Sequence, residues 1–303
     1  MKTINMIIIQ LFLISTISIS QISTKVYSLK GRVKSMSETK YMAVGKDKEM
    51  TKGRMLYEMH YKFDKMGNET KIKNSNLDKD KHKGKVLTGY EYNKDGKIVR
   101  IINYSACRKD NIIKFIYDEK GRKIIKENFN GKDKKLLSKT NYKYDDKNNL
   151  TELISDDSLF YRTRLFQYDV KGNKTQESQY DKKDNLLFVE QCKYDDKGNK
   201  IEESFFEKGD KLTFRDEYKY DNKGNLTEKY RYSSGNKLIF KTVYKYDEYG
   251  NELEKNECYI ENNNCNKTVY RYDKIDKQGN WLVRVTIVND FNEDIVYREI
   301  KYY

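Results

Sequence analysis

Alternation of apolar and polar residues with a period of two dominates this chain. In residues 211–221 (KLTFRDEYKYD), Leu212, Phe214, Tyr218 and Tyr220 share one parity while Thr213, Arg215, Glu217, Lys219 and Asp221 take the other, the pattern of a half-buried strand. Leu238, Phe240, Tyr244 and Tyr246 repeat it, with Lys241, Lys245 and Asp247 opposite. Asp-x-x-Gly then predicts a reversal: Asp bonds the backbone two residues on, and Gly takes the left-handed conformation that closes a type I turn with a bulge. A more polar strand follows, as in residues 226–232, and ends in a second turn such as SSGN at 233–236. Each unit predicts a hairpin.

Aligned on Y-x-Y-D-x-x-G-N, the unit recurs at Asp64, Asn93, Asp118, Asp145, Asp169, Asp195, Asp221, Asp247 and Asp273, nine copies spaced by 29, 25, 27, 24, 26, 26, 26 and 26 residues. A steady period in this range marks a repeat architecture. The expected turn residues are Asp64 and Gly67, Asp118 and Gly121, Asp145, Asp169 and Gly172, Asp195 and Gly198, Asp221 and Gly224, and Asp247 and Gly250. The expected core aromatics are Tyr144, Phe166, Tyr168, Tyr194, Tyr218, Tyr220, Tyr244 and Tyr246. Copy two reads YEYNKDGK, copy four has Asn148 in place of Gly, and copy one has Phe63 in place of the second Tyr, departures that suggest edge or cap roles or simple drift.

The repeat resembles the YD repeats of the Rhs family of bacterial proteins, through the pairs Tyr144-Asp145, Tyr168-Asp169, Tyr194-Asp195, Tyr220-Asp221, Tyr246-Asp247 and Tyr272-Asp273. The likeness covers roughly residues 57–281 and is greatest to the short, stand-alone exported members. Large members wrap a spiralling β-sheet around a toxin domain, whereas here the sequence reads as repeats without a segment to be wrapped. For short members the resemblance implies little beyond carbohydrate or surface binding.

The fold expected is all-β: tandem β-hairpin repeats of about 18 to 20 antiparallel strands, two per repeat. So wide a sheet should curl rather than lie flat, with its Tyr, Phe and Leu face inward. Residues 1–20 (MKTINMIIIQLFLISTISIS) read as a secretory signal peptide, Lys2 before an apolar run with small residues at Ser18 and Ser20. Residues 21–303 read as one continuous domain, with entry strands in 21–56 and the array in 57–303, capped near DKQGNW.

The formal charge of +14 falls to +13 when residues 1–20, with Lys2, are removed. Lysines are spread through every repeat among 47 acidic residues, which describes a solvated sheet face and not a nucleic-acid groove. The outward residues of the last strand, Tyr297, Glu299, Lys301 and Tyr303, are also unlike the lipid-facing band of an outer-membrane barrel. No membrane span is expected after signal removal.

Cys258 and Cys265 bracket YIENNN, so a hairpin turning there places them within disulfide reach. Cys107 and Cys192 lie about six strands, on the order of 28 Å, apart in a flat meander. Cys192 takes the place of the first Tyr of its repeat, an ordinary core position. The cysteines form no C-x-x-C pair, and His60 and His82 have no ligand-like spacing to them, so no metal is expected. D-x-x-G-N lacks the ladder of a calcium loop, no nucleophile or phosphate motif occurs, and no cofactor is expected. These readings point to a non-catalytic exported binding or structural module, with glycan or another surface protein as partner. A protein-interaction or toxin-shielding role comes second, and an enzyme of unrecognised type third.

Overall fold

A computed structural model describes residues 27, 29–45, 51–74, 85–105, 108–157, 161–208 and 211–303, and every regular element among them is a strand. In order these are β1 (Val33–Val44), β2 (Thr51–Phe63), β3 (Glu69–Asn74), β4 (Lys85–Tyr92), β5 (Ile98–Ser105), β6 (Arg108–Tyr117) and β7 (Lys123–Asn130). There follow β8 (Leu136–Tyr144), β9 (Leu150–Asp157), β10 (Tyr161–Tyr168), β11 (Lys174–Tyr180), β12 (Leu186–Tyr194), β13 (Lys200–Glu207) and β14 (Lys211–Tyr220). The last are β15 (Leu226–Ser233), β16 (Leu238–Tyr246), β17 (Glu252–Tyr259), β18 (Asn264–Ile275), β19 (Trp281–Val288) and β20 (Phe291–Tyr302). The expected signal peptide, His82 and Cys107 lie outside the described residues.

Each strand pairs antiparallel with the one before it, and β1 also pairs with β20, from Val33 opposite Tyr302 to Met42 opposite Asp294. The sheet is therefore a closed 20-stranded barrel, not the open curled sheet that the repeat predicts. Closure removes two long edges of unpaired backbone groups. It also makes β1, expected as an entry strand, the closing strand, and leaves copies one, two and four no edge to occupy.

The ninth copy turns later than its Tyr-Asp pair predicts. β18 runs on through Asp273 to Ile275 with two irregularities in register, and the reversal falls on Asp276 to Asn280. Asp273 is thus a strand residue, and DKQGNW is the ninth turn followed by β19 and β20, not a cap.

Direct partners across strands share a face. The face of Tyr142, Phe166, Tyr218, Tyr244 and Tyr270 also carries Glu177, Glu203, Asp216, Lys229, Arg231 and Arg298. Here groups two or three strands apart feel each other's charge, as Tyr57 of β2 does Asp294 and Arg284. On the opposite face Lys143, Lys193, Lys219 and Lys245 are 64, 70, 63 and 64 % exposed and pair only with the adjacent strand, at Glu152, Glu202, Glu228 and Glu254. Convergence identifies the tyrosine face as the inner wall.

The expected core aromatics are half-buried, not largely buried. Twenty strands about 4.8 Å apart make a perimeter of roughly 100 Å, wider than the eight-stranded barrels whose side chains just fill the interior. The substantial contacts are all between strands adjacent in the sheet, so the rings are covered from the sides and not from above. Two clusters of buried apolar residues form, Leu29, Val33, Met36 and Phe63 near the seam, and Ile98, Ile101 and Phe115 on β5 and β6.

Candidate functional site: the turn rim and the inner wall

Nine D-x-x-G-N-type turns among the described residues stand on one rim of the barrel, at Asp64, Asn93, Asp118, Asp145, Asp169, Asp195, Asp221, Asp247 and Asp276. In the copy at Asp221 the Asp221 amide donates to the Asn225 carbonyl at 2.9 Å and the Gly224 amide donates to the Asp221 carbonyl at 3.1 Å. The carboxylate accepts from the Lys223 and Asn225 amides at 2.9 and 2.8 Å and from Asn225 Nδ2 at 2.9 Å. The Asn side chain first, then backbone amides, hold the Asp145, Asp169, Asp195 and Asp221 carboxyls below the usual carboxylate range. The bulge position takes positive φ, 85° at Gly224 and 69° at Asn148, so asparagine replaces glycine in copy four without changing the turn.

In copies four to nine the second Tyr fastens one hairpin to the next. Its hydroxyl donates to the carbonyl of the residue that follows the preceding turn: Tyr144 to Lys123, Tyr168 to Leu150, Tyr194 to Lys174, Tyr220 to Lys200, Tyr246 to Leu226 and Tyr272 to Glu252, all between 2.8 and 2.9 Å. Between successive turns a shallow groove recurs. One is lined by Asp221, Asn225, Thr227, Tyr244 and Tyr246, another by Asp145, Asn149, Thr151, Phe166 and Tyr168. A ring edge beside amide, hydroxyl and carboxylate groups is chemistry suited to hydroxylated ligands.

Below the rim the inner wall carries charges that sequence parity did not reveal. Asp216, 1 % exposed, accepts from Arg231 Nε and Nη2 at 2.7 and 2.8 Å and from Lys229 Nζ at 2.9 Å. Burial works to raise its carboxyl, but Arg231 and Lys229 hold it below the ordinary value. Glu177, 2 % exposed, accepts from Arg164 Nε at 2.7 Å and Lys174 Nζ at 2.9 Å, and Lys174 also reaches Glu190 at 2.8 Å. Lys200 pairs with Glu203, which accepts from the Tyr218 hydroxyl at 2.8 Å. The signal was present in the repeats: the residue after the turn and the one three further on read Lys174/Glu177 and Lys200/Glu203, against Ile98/Ile101 and Leu150/Leu153 elsewhere.

Cys192 is buried within this wall and free. Its thiol lies 3.3 Å from Glu190 Oε1, and burial, followed by the Glu190 carboxylate, pushes it up to about 12. Glu190, Cys192 and Glu203 bring three ligand-type atoms within 4.8 Å of one another, but Lys174 and Lys200 already engage the two carboxylates. A thiol held this far from thiolate formation is inert as a nucleophile at neutral pH. Cys258 and Cys265 face each other across β17 and β18, with Cα atoms 4.1 Å apart, and are joined as a disulfide.

No family model matches the chain. No curated protein matches it either. Among solved structures it is similar to a TcdB2-TccC3 chain without its hypervariable C-terminal region, with a TM-score of 0.44 and 13 % identity. That match covers 80 % of this chain, which spans 14 % of the other. A porin-like protein from Bacteroides uniformis gives a TM-score of 0.38 at 10 % identity over 90 % of this chain and 99 % of that one. One from Bacteroides vulgatus gives 0.26 at 13 % identity over 75 and 95 %. Likenesses this distant carry no inference, and the resemblance to YD repeats rests on the repeat's own residues.

Proposed function

We propose that this protein is a non-catalytic binding module outside the cytoplasm, with a hydroxylated ligand, glycan or cell-surface polymer, seated along the barrel's repeated grooves. The observation that carries this reading is the recurrence of one groove, ring edge beside Asp, Asn and Thr, between different pairs of turns. Adjacent turns stand two strands, about 10 Å, apart, a spacing on the scale of a disaccharide, so a polymer could meet equivalent groups in register. The acids are bound up in structure: the turn carboxylates accept turn amides, and Glu177, Glu203 and Asp216 are ion-paired. That is poor material for acid–base work. Export is supported by the amino-terminal signal pattern and by the Cys258–Cys265 bond, which belongs to an oxidising compartment.

No helix among the described residues is long and apolar enough to cross a membrane. That says nothing of strands, but the ion pairs on the outer face of β8 to β17 suit water and not lipid. A second reading, shielding of a protein segment, is favoured by the closed wall and by the want of packing across it. A glycan array together with a pull-down on the mature protein separates the two. Binding to a glycan class that weakens on Tyr246→Ala supports the first, and a captured protein with no glycan signal replaces it with the second.

A further inference from the structure

We propose that Lys123 and Lys126, on the inner wall of β7, form a binding site for an oxyanion carried by a hydroxylated ligand, an acidic sugar being the class that fits. The repeats supply an internal control. In copies five and six the first residue after the turn is a lysine, and the residue three further on is the glutamate that neutralises it, Lys174 with Glu177 and Lys200 with Glu203. Copy three keeps the lysine, Lys123, and puts a second lysine, Lys126, where the glutamate belongs. The flanking copies offer no replacement acid, since their equivalent pairs are Ile98/Ile101 and Leu150/Leu153. Glu127, the acid next in sequence, faces the outer side and pairs with Lys139.

Among the described residues neither ammonium group has a carboxylate partner. Lys123 Nζ lies 5.5 Å from the centre of the Phe115 ring and 4.7 Å from that of Tyr142. Lys126 stands in register between Phe115 of β6 and Thr140 of β8. Burial first, and for Lys123 the neighbouring Lys126 next, pull both ammonium groups below their ordinary value, whereas glutamates hold Lys174 and Lys200 above theirs despite burial. An oxyanion between the two lysines would supply the counter-charge that the other copies carry in the chain. Asn128, two residues along the same face, and Asn111 of β6 each have a buried side-chain oxygen with no donor. This deepens the binding-module reading and rests on it.

The test is calorimetry and thermal melting of the mature protein with sodium glucuronate, glucose and sodium sulfate at matched ionic strength, beside Lys126→Glu and Lys126→Gln. Lys126→Glu rebuilds the pair of copies five and six, so it should fold at least as well as the wild type. We expect glucuronate to bind and glucose not to, with affinity reduced tenfold or more in both variants. Sulfate binding that is lost in the variants, without any response to glucuronate, overturns the sugar and leaves a bare anion site. No response in the wild type, or an equal one in Lys126→Glu, overturns the proposal. Binding of neutral glycans on the array would survive either failure, since the rim grooves do not involve these lysines.

Discussion

Replacing Gly224 isolates the backbone term of the repeat. Its φ is +85°, and a Cβ built there meets nothing within 4 Å, so Gly224→Ala adds no clash and changes only the conformational preference. For a residue with a Cβ the left-handed region costs about 1–2 kcal/mol, while Gly→Ala stiffens the unfolded chain by about 0.4–1 kcal/mol in the opposite sense. The expected net loss is about 1 kcal/mol, a fall in Tm of about 1.5–2 °C for a protein of this size. Gly224→Asn is the control: Asn148 holds the same place with φ of 69°, so this variant should lose well under half as much. Urea titration and melting by circular dichroism measure both. Calcium should leave the wild-type Tm unmoved, because the Asp221 carboxylate already accepts three turn donors. The reasoning fails if alanine and asparagine cost the same, or if calcium raises the Tm strongly.

Three further outcomes follow from the wall and the seams. Asp216→Ala should cost about 3–5 kcal/mol in urea titration, since it leaves Arg231 and Lys229 without their shared acid; a loss below about 1 kcal/mol would contradict the pairing. Because the Asp216 carboxyl is held low in the fold, its contribution is fully present above its unfolded value near 4. It is lost as pH falls through the lower folded value, so the wild type minus Asp216→Asn difference should shrink only in that acid range. Tyr220→Phe removes the bond to the Lys200 carbonyl and should cost about 1 kcal/mol, with Tyr220→Ala costing more; equal stability of Tyr220→Phe and wild type would remove the ladder from the account. Unreduced peptide mapping should recover Cys258 joined to Cys265, and reduction should cost about 2 kcal/mol or less because the loop is short; free thiols at both positions in exported protein would refute it.

The turns were legible because Asp-x-x-Gly-Asn carries its own hydrogen-bond set: Asp221, Gly224 and Asn225 complete the reversal without help from the rest of the chain. The same locality misled at Asp273, where a Tyr-Asp pair precedes a three-residue extension of β18 and the turn set lies at Asp276, Gly279 and Asn280. Closure was not legible, because Val33 and Tyr302 meet only once every intervening hairpin has curved the sheet, and no local pattern reports accumulated curvature. Alternation alone did not show the inner wall's charge, although comparing repeats, Lys174/Glu177 and Lys200/Glu203 against Ile98/Ile101, could have. Asp216 sits at a parity that alternation assigns to the core, and it is tolerable there only because Arg231 and Lys229 stand on the neighbouring strand. Half-burial of Tyr218 and Tyr244 follows from the same width, which leaves the rings without an opposing layer.

The central claim is that β1 and β20 close the sheet. Ser37 and Glu299 are register partners across that seam. Oxidation of a Ser37→Cys, Glu299→Cys double variant, followed by unreduced peptide mapping, should yield a peptide linking β1 to β20 in monomeric protein, with the Cys258–Cys265 bond intact. An open sheet would hold these positions many strands apart, and recovery of both cysteines free, with the native bond still formed, would contradict the barrel.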